Sequence, residues 1–403
     1  MMKILVINSG SSSIKYQLFE MDDQTVLTAG LVERIGLDTG RITHKRFIDG
    51  QVLESVREMV IENHHEGLAQ VAALLLDANV GVIESAAEIA AVGHRAVHGG
   101  ETFSQTTIID AMVRAKIKEL IPLAPLHNPP NLAGIEVATE IFPQAVQVAV
   151  FDTAFHQTMP PAAYRYALPN RFYEEYGIRA YGFHGTSHLY VSKKAAAHLG
   201  RPIAHTNLIT AHLGNGCSLT AVRGGQSVDT SMGFSPLAGL IMGTRSGDLD
   251  PAVCYFMGTK LGMSFAEIDR LLNKESGLLG LSGHSDVRDI QARQAAGEAE
   301  AELALAMYTY RIKKYIGAYC AVLGQVDALV FTAGVGENSA YVRQQACQGL
   351  ENLGIRLDEG KNERGAVAEI SEIQAADSPV RVLIIPTNEE LEIATQTLAA
   401  LTG

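Results

Sequence analysis

Leu5-Val-Ile-Asn-Ser-Gly-Ser-Ser-Ser-Ile-Lys-Tyr-Gln-Leu-Phe19 reads as an apolar strand, a turn of small residues and a return strand. About two hundred residues on, Leu208-Ile-Thr-Ala-His-Leu-Gly-Asn-Gly-Cys-Ser-Leu-Thr-Ala-Val222 reads the same way. No bulky side chain covers such a turn, so its backbone N–H groups and hydroxyls are exposed, and a concavity of this kind suits a phosphate. An isolated Ser/Gly turn is usually an ordinary hairpin. Its repetition points instead to a duplicated fold that grips a nucleotide between its halves.

The bulk numbers frame that reading. At 403 residues the chain is long for one core, so two domains are expected, and 47% hydrophobic residues can build both. The formal net charge of −12, with no basic block, argues against nucleic acid or an anionic membrane surface as partner. A phosphorylated ligand needs only a few well-placed cations and stays open. The four scattered cysteines (Cys217, Cys254, Cys320, Cys347) lack zinc-ligand spacing and suit a reducing cytosol. The apolar stretch before Ser9-Gly10 is too short for a signal peptide, and no run reaches membrane-spanning length. The expected setting is cytoplasmic, with no membrane partner.

Outward from the first hairpin, strands are expected at 26–35, 41–48, 89–94 and 146–151. Residues 52–79 carry apolar residues at helical spacing, which predicts helix there. The proline density of Pro122-Leu-Ala-Pro-Leu-His-Asn-Pro-Pro130 predicts no helix there, with one starting at Asn131. Residues 155–190 read as a long structured loop, and Ser187 as a helix start. Asp250-Pro251 is a cap followed by proline, and Ser264 with Glu267 forms a capping box. One long helix is expected over 298–323. Strands follow at 328–332 and 380–385, then a terminal helix. Mixed strands and helices make the class α/β.

Six constellations could carry chemistry. Asn8-Ser-Gly-Ser-Ser-Ser-Ile-Lys15 offers Ser11 and Ser13 as donors and Lys15 as a charge; no Walker motif is present. Gly93-His-Arg-Ala-Val-His-Gly-Gly-Glu101 lacks the Glu of a zinc protease helix. Its Arg95, ending a buried strand, suits a carboxylate or phosphate clamp, or equally a structural ion pair. Asp152, in Phe151-Asp-Thr-Ala-Phe-His156, ends another such strand, where ligand crevices form. His184, in Gly182-Phe-His-Gly-Thr-Ser-His188, is flanked closely by glycine. Arg245, in Gly243-Thr-Arg-Ser-Gly-Asp-Leu-Asp250, has few packing reasons to stand in a glycine loop and could reach transferring charge. Phe331-Thr-Ala-Gly-Val-Gly-Glu-Asn338 reads as a strand entering a glycine turn and a helix, over which a flat ligand could lie.

Together these blocks resemble the acetokinase family, within the sugar kinase, Hsp70 and actin superfamily. The resemblance runs essentially end to end and includes Pro125-Leu-His-Asn-Pro129, His212-Leu-Gly-Asn-Gly216 and Thr387-Asn-Glu-Glu390. It implies two duplicated actin-like (ribonuclease H-like) domains with a nucleotide cleft between them: 1–150, completed by the C-terminal helix 388–403, and 151–387. It also implies reversible, Mg²⁺-dependent transfer of the ATP γ-phosphoryl group to acetate, with Mn²⁺ as an alternative metal, and a homodimer.

By position the resemblance makes Asp152 the active-site aspartate, Arg95 a substrate clamp, and His184 and Arg245 transition-state donors. Asn8 and Glu389 match the metal site, with Glu390 adjacent as the alternative. Val97, Leu126, His127, Phe183 and Pro236 match the acetate pocket, where a valine favours acetate over propionate. Lys15 with Ser11 and Ser13, the run His212, Leu213, Gly214, Asn215 and Gly216, and Asp286, Val287 and Arg288 match the nucleotide site. So do Gly334, Val335, Gly336, Glu337 and Asn338. Val287 stands where many relatives would carry an aromatic residue.

Overall fold

In the computed structural model, which describes residues 2–403, the first hairpin is the centre of a mixed sheet. Its strands are β1 (Lys3–Ser9), β2 (Ser13–Glu20), β3 (Thr25–Glu33), β4 (Gly40–Ile48), β5 (Gln51–Met59), β6 (Ile89–Ala96), β7 (Thr107–Ile108) and β8 (Val146–Phe151), in the order β5-β4-β3-β2-β1-β6-β8-β7. Alternation along β1 sends Leu5 and Ile7 to one face. There they pack with Ile14, Tyr16 and Leu18 of β2 and with Leu68, Val71 and Leu75 of helix His64–Leu75. Ile4 and Val6 face the other way, against Phe19, Val150 and Ile393. Ile393 belongs to the terminal helix Glu389–Thr402, which lies so close to β6 that a Cβ at Gly93 would run into the Thr397 hydroxyl. This unit comprises Met1–Phe155 with Asn388–Gly403.

The second unit, His156–Thr387, holds β9 (Asn207–Leu213), β10 (Cys217–Arg223), β11 (Gln226–Thr230), β12 (Ala328–Thr332), β13 (Ser371–Glu372) and β14 (Arg381–Ile384). Their order is β11-β10-β9-β12-β14-β13. An antiparallel meander, β9 to β11, is flanked by the parallel strands β12 and β14. The first unit repeats this plan: the meander β1 to β3, then parallel β6 and β8. The expected duplicated α/β fold is therefore present as a topology used twice. The long helix Ala299–Leu323 and the caps at Asp250 and Ser264 stand where the sequence places them.

Two expectations need correction. The helix expected over 52–79 is confined to His64–Leu75; residues 51–59 form β5, fully paired with β4 from Gly40↔Met59 to Ile48↔Gln51. Asp49 and Gly50, at φ 49° and 75°, make the two-residue turn that an Asp-Gly pair favours. The helical spacing of Val52, Val56 and Val60 is coincidental, since β5 is largely exposed. Likewise the helix of the proline segment begins at Asn128, not Asn131. Pro129 and Pro130 fall in its first turn, where no intrahelical N–H bond is required. Asn131 instead accepts from Val97 N at 3.0 Å and donates to Ser9 O at 2.8 Å, tying helix to turn. The structured loop 155–190 contains short helices at Pro161–Tyr164 and Arg171–Tyr176. Among the described residues no helix is long and apolar enough to cross a membrane.

Candidate active site

Parallel register places the first unit's charged groups. β1 and β6 pair Ile7↔His94, and β6 and β8 pair Ala96↔Phe151, so Asn8, Arg95 and Asp152 stand together at the strand ends. Asp152 N donates to Ala96 O at 2.9 Å, which carries the backbone one step past the strand with Asp152 buried. Arg95 Nε donates to Asp152 Oδ2 at 3.0 Å, and its Nη2 makes a second, shorter bond to the same oxygen. Its Nη1 reaches Asn8 Oδ1 at 3.4 Å.

Two more carboxylates come from the first turn of the terminal helix. Glu390 is ion-paired with Lys15 across the first hairpin. Glu389 has no ion pair among the described residues; burial raises its carboxyl well above the usual range, and Asp152 and Glu390 add to this against the opposing pull of Arg95 and Lys15. Burial alone would lower Arg95, but Asp152, Glu389 and Glu390 together hold it firmly protonated.

The second unit gathers histidines instead. His184 precedes helix Gly185–His198 with a left-handed backbone, φ 57°, a conformation uncommon outside glycine. Its ring stacks on His212, with centroids 4.2 Å apart. A Cβ built on Gly216 would stand 2.8 Å from Arg245 Nη2 and 3.3 Å from His184 Nε2. The two side chains therefore flank one point over bare backbone. Arg245 is positioned by donating from Nη1 to Pro236 O at 2.6 Å. Burial lowers its guanidinium from the usual value, with a small opposing effect of Cys217. His212 Nδ1 bonds Ser187 Oγ at 2.8 Å, and Phe183 is buried, its carbonyl engaged by His156 Nε2.

Beside this point the second unit has a pocket of about 430 Å³. Gly214 and Asn215 line it from the β9–β10 turn, Asp286, Val287 and Arg288 from the start of helix Val287–Ala295, and Gly334, Val335 and Asn338 from helix Ala333–Asn338. Its volume suits a small ligand. Apart from Asp286 and Arg288, which pair with each other, the wall is backbone, amide, hydroxyl and aliphatic, so it favours a flat neutral ring over a phosphate. The expected glycine turn at 333–338 is a short helix running directly from β12, with Ala333 at φ 63°. Gly336 is packed within, and Glu337 accepts from Thr387 N at 3.2 Å. Arg343, wholly buried, clamps the Gly336 and Glu337 carbonyls.

Of the acetate-pocket candidates, Val97 is buried, whereas Leu126 and His127 are exposed. Ser11 and Lys15 are exposed at the hairpin and Ser13 is half-buried. Leu213 is core. Sequence reasoning passed over Ser218, His188 and Arg343. The only available signal for His188 was its spacing four residues after His184, which places both on one helical face. Nothing local marked Ser218 or Arg343.

The chain matches the profile of the Acetokinase family over residues 3–395. It is 54% identical to the acetate kinase of Syntrophobacter fumaroxidans, over 99% of this chain and 97% of that one. It is also 54% identical to the acetate kinase of Methanosarcina thermophila, over 98% and 96%. Among solved structures, Porphyromonas gingivalis acetate kinase superposes with a TM-score of 0.94 at 47% identity, covering 100% of both chains. A propionate kinase from Francisella tularensis gives 0.91 at 42%, covering 98% and 99%.

Proposed function

This chain belongs to the acetokinase family, and from that premise we propose that it acts as an acetate kinase, moving the ATP γ-phosphoryl group directly and reversibly onto acetate. The observation that carries the reading is the point over Gly216 flanked by Arg245 and His184 beside a ring-sized pocket. A phosphoryl group in flight spreads charge over its equatorial oxygens and needs fixed donors there. Arg245 and His184 supply them, and the pocket takes the nucleoside.

Arg95 binds the acetate carboxylate and offsets its repulsion from the triphosphate. Acetate is ionised at neutral pH and needs no base to become a nucleophile. Asp152, committed to Arg95 by two hydrogen bonds, therefore orients the clamp instead of removing a proton. Val97 limits the space beside the methyl group.

The first unit also suits Mg²⁺. Burial first, and then the negative charge of Asp152 and Glu390, hold Glu389 toward its neutral form against the pull of Arg95 and Lys15. Mg²⁺ keeps most of its water and takes one or two protein oxygens plus phosphates. Asn8 and Glu389 would hold it, Glu390 being engaged by Lys15, and bound there it would neutralise phosphate charge.

The exposed Tyr255, Phe256, Leu261 and Phe265 of the second unit, with Leu303 and Tyr310 on the long helix, support a homodimer through that unit. Sedimentation as a monomer at micromolar concentration would overturn that part.

The deciding assay follows ADP release from Mg-ATP with acetate, propionate or butyrate, trapping acyl phosphate as hydroxamate. Acetate is expected to give hydroxamate with the highest kcat/KM. Propionate as the better acceptor would make this a propionate kinase. Absence of acyl phosphate with all three would overturn the reading.

A further inference from the structure

We infer that Ser218 and His188 are positioning residues for His184, and that with Thr210 they form a directed hydrogen-bond chain that fixes the His184 tautomer with its proton on Nε2. The inference rests on the reading of His184 as a phosphoryl donor.

The chain is continuous and buried. Thr210 Oγ1 lies 2.7 Å from His188 Nδ1, His188 Nε2 lies 2.7 Å from Ser218 Oγ, and Ser218 Oγ lies 2.9 Å from His184 Nδ1. Thr210, His188 and Ser218 are fully buried. Thr210 is on β9 and Ser218 on β10, paired through Thr210↔Thr220 and His212↔Ser218. His188 lies one helical turn beyond His184. The rigid hairpin and the helix thus hold both ends of the chain.

Each of the three contacts requires one hydrogen, and each hydroxyl has one to give. His188 is neutral, because burial drives its imidazole well below the ordinary value, and His156 and His212 lower it further. It therefore carries a single proton. Letting both imidazoles donate to Ser218 would strand the Ser218 hydroxyl hydrogen in a buried strand, so two arrangements remain.

In the first, Thr210 donates to His188 Nδ1, His188 Nε2–H donates to Ser218, and Ser218 donates to His184 Nδ1. Every hydrogen is used, and the neutral His184 ring carries its proton on Nε2. In the second, every bond reverses. His188 donates to Thr210, Ser218 to His188, and His184 Nδ1–H to Ser218. The Thr210 hydroxyl hydrogen then has no acceptor in a buried strand, because among the described residues His188 is the one hydrogen-bond partner of that hydroxyl. Stranding a buried donor is the costlier choice. The first arrangement wins, and it aims an N–H from His184 at the point over Gly216 that Arg245 Nη2 also faces. A chain in the opposite sense would present a lone pair to phosphate oxygens, which repels.

The test is the ¹⁵N spectrum of full-length, histidine-labelled protein without substrate, with His184 assigned by its loss in His184→Gln. The expected result is a His184 ring protonated on Nε2, and a tautomer mixture in Ser218→Ala. Kinetically, Ser218→Ala should lower kcat by up to about 10²-fold, the scale of losing one transition-state donor, with both KM values little changed. In the His184→Gln background it should lower kcat no further.

A wild-type ring protonated on Nδ1 would overturn the inference, and so would a tautomer unmoved by Ser218→Ala. An equal loss of kcat with and without His184 would show that Ser218 acts only through the fold, and would overturn it too. The wild-type spectrum decides even if a variant folds poorly. If His184→Gln itself retains full turnover, the donor reading fails, while the spectrum still judges the hydrogen-bond chain separately.

Discussion

The two glycine turns occupy equivalent places in sheets that share a six-strand order, β4 and β5 being extra in the first, yet their neighbours differ in kind. At and beside Asn8–Lys15 stand ionisable groups: Arg95 and Lys15 against Asp152, Glu389 and Glu390. Beside His212–Ser218 stand imidazoles, hydroxyls, bare backbone and one arginine. The strand order brings loop ends together, and the residues at those ends set the chemistry. On the proposed reading, the charged cluster handles the small carboxylate and the metal. The hydrogen-bonded cluster handles a group whose charge moves during the reaction, where donors fixed in advance cost no reorganisation.

Removing the arginine from each cluster gives the largest effect. Arg245→Ala and Arg95→Ala should each reduce kcat/KM for acetate roughly 10³-fold or more. The comparison adds a distinction: Arg245→Ala acts mainly on kcat, whereas Arg95→Ala also raises KM for acetate and leaves KM for ATP near wild type. Steady-state kinetics with each substrate varied would check this, and identical patterns would erase the division of labour.

Gly216→Ala comes next. Gly216 is not among the left-handed glycines, so the substitution costs little backbone energy. Its methyl would press on Arg245 and His184 and displace both. A displacement near 1 Å in such a site costs about 10²-fold in turnover. Turnover within twofold of wild type, with thermal stability unchanged, would mean that the point over Gly216 is not used.

Buried histidines allow a test by pH. His94 lies beneath the charged cluster, bonded through Nε2 to Gln147 Oε1 at 2.7 Å. Burial pushes it down to about 4 from 6.5, with Gln147 pulling weakly the other way. The unfolded chain therefore takes up a proton near pH 6.5 that the folded chain refuses until near pH 4. Stability from this group is complete above pH 6.5 and falls as pH drops through that window, by on the order of 3 kcal/mol in total. Urea unfolding of wild type and His94→Gln between pH 7 and 4 should show a shallower decline in the variant. Parallel curves would refute it.

The smallest expected effect is on specificity. Val97→Ala should raise the propionate-to-acetate ratio of kcat/KM about tenfold, because one methylene changes discrimination by only about 1–3 kcal/mol. An unchanged ratio would place the methyl-binding wall elsewhere, with Phe183 or Pro236 next to be tried.

Much of the fold was legible because its signals are local. The apolar runs of β1, β9 and β12, the small-residue turns, and the caps at Asp250 and Ser264 each declare themselves within a few residues. β5 misled because its apolar spacing fits a helix and its face is solvated. What decided it was the Asp49-Gly50 turn and pairing with β4. Asn131 misled because asparagine is a good cap; packing assigned its amide to Val97 and Ser9 instead.

Two hairpins of one design, the α/β class, and the charged and histidine residues at strand and turn ends are all readable from the order of residues alone. Those properties rest on periodicity and on backbone preferences, which act over a few residues. The packed chain was needed to pair Glu390 with Lys15, leaving Glu389 without a salt bridge among the described residues, and to turn Arg245 and His184 toward one point over Gly216. It alone joined Thr210, His188 and Ser218 into one directed chain. Such contacts join residues far apart in the chain, and they follow from strand register and from the burial that makes an unpaired hydrogen costly.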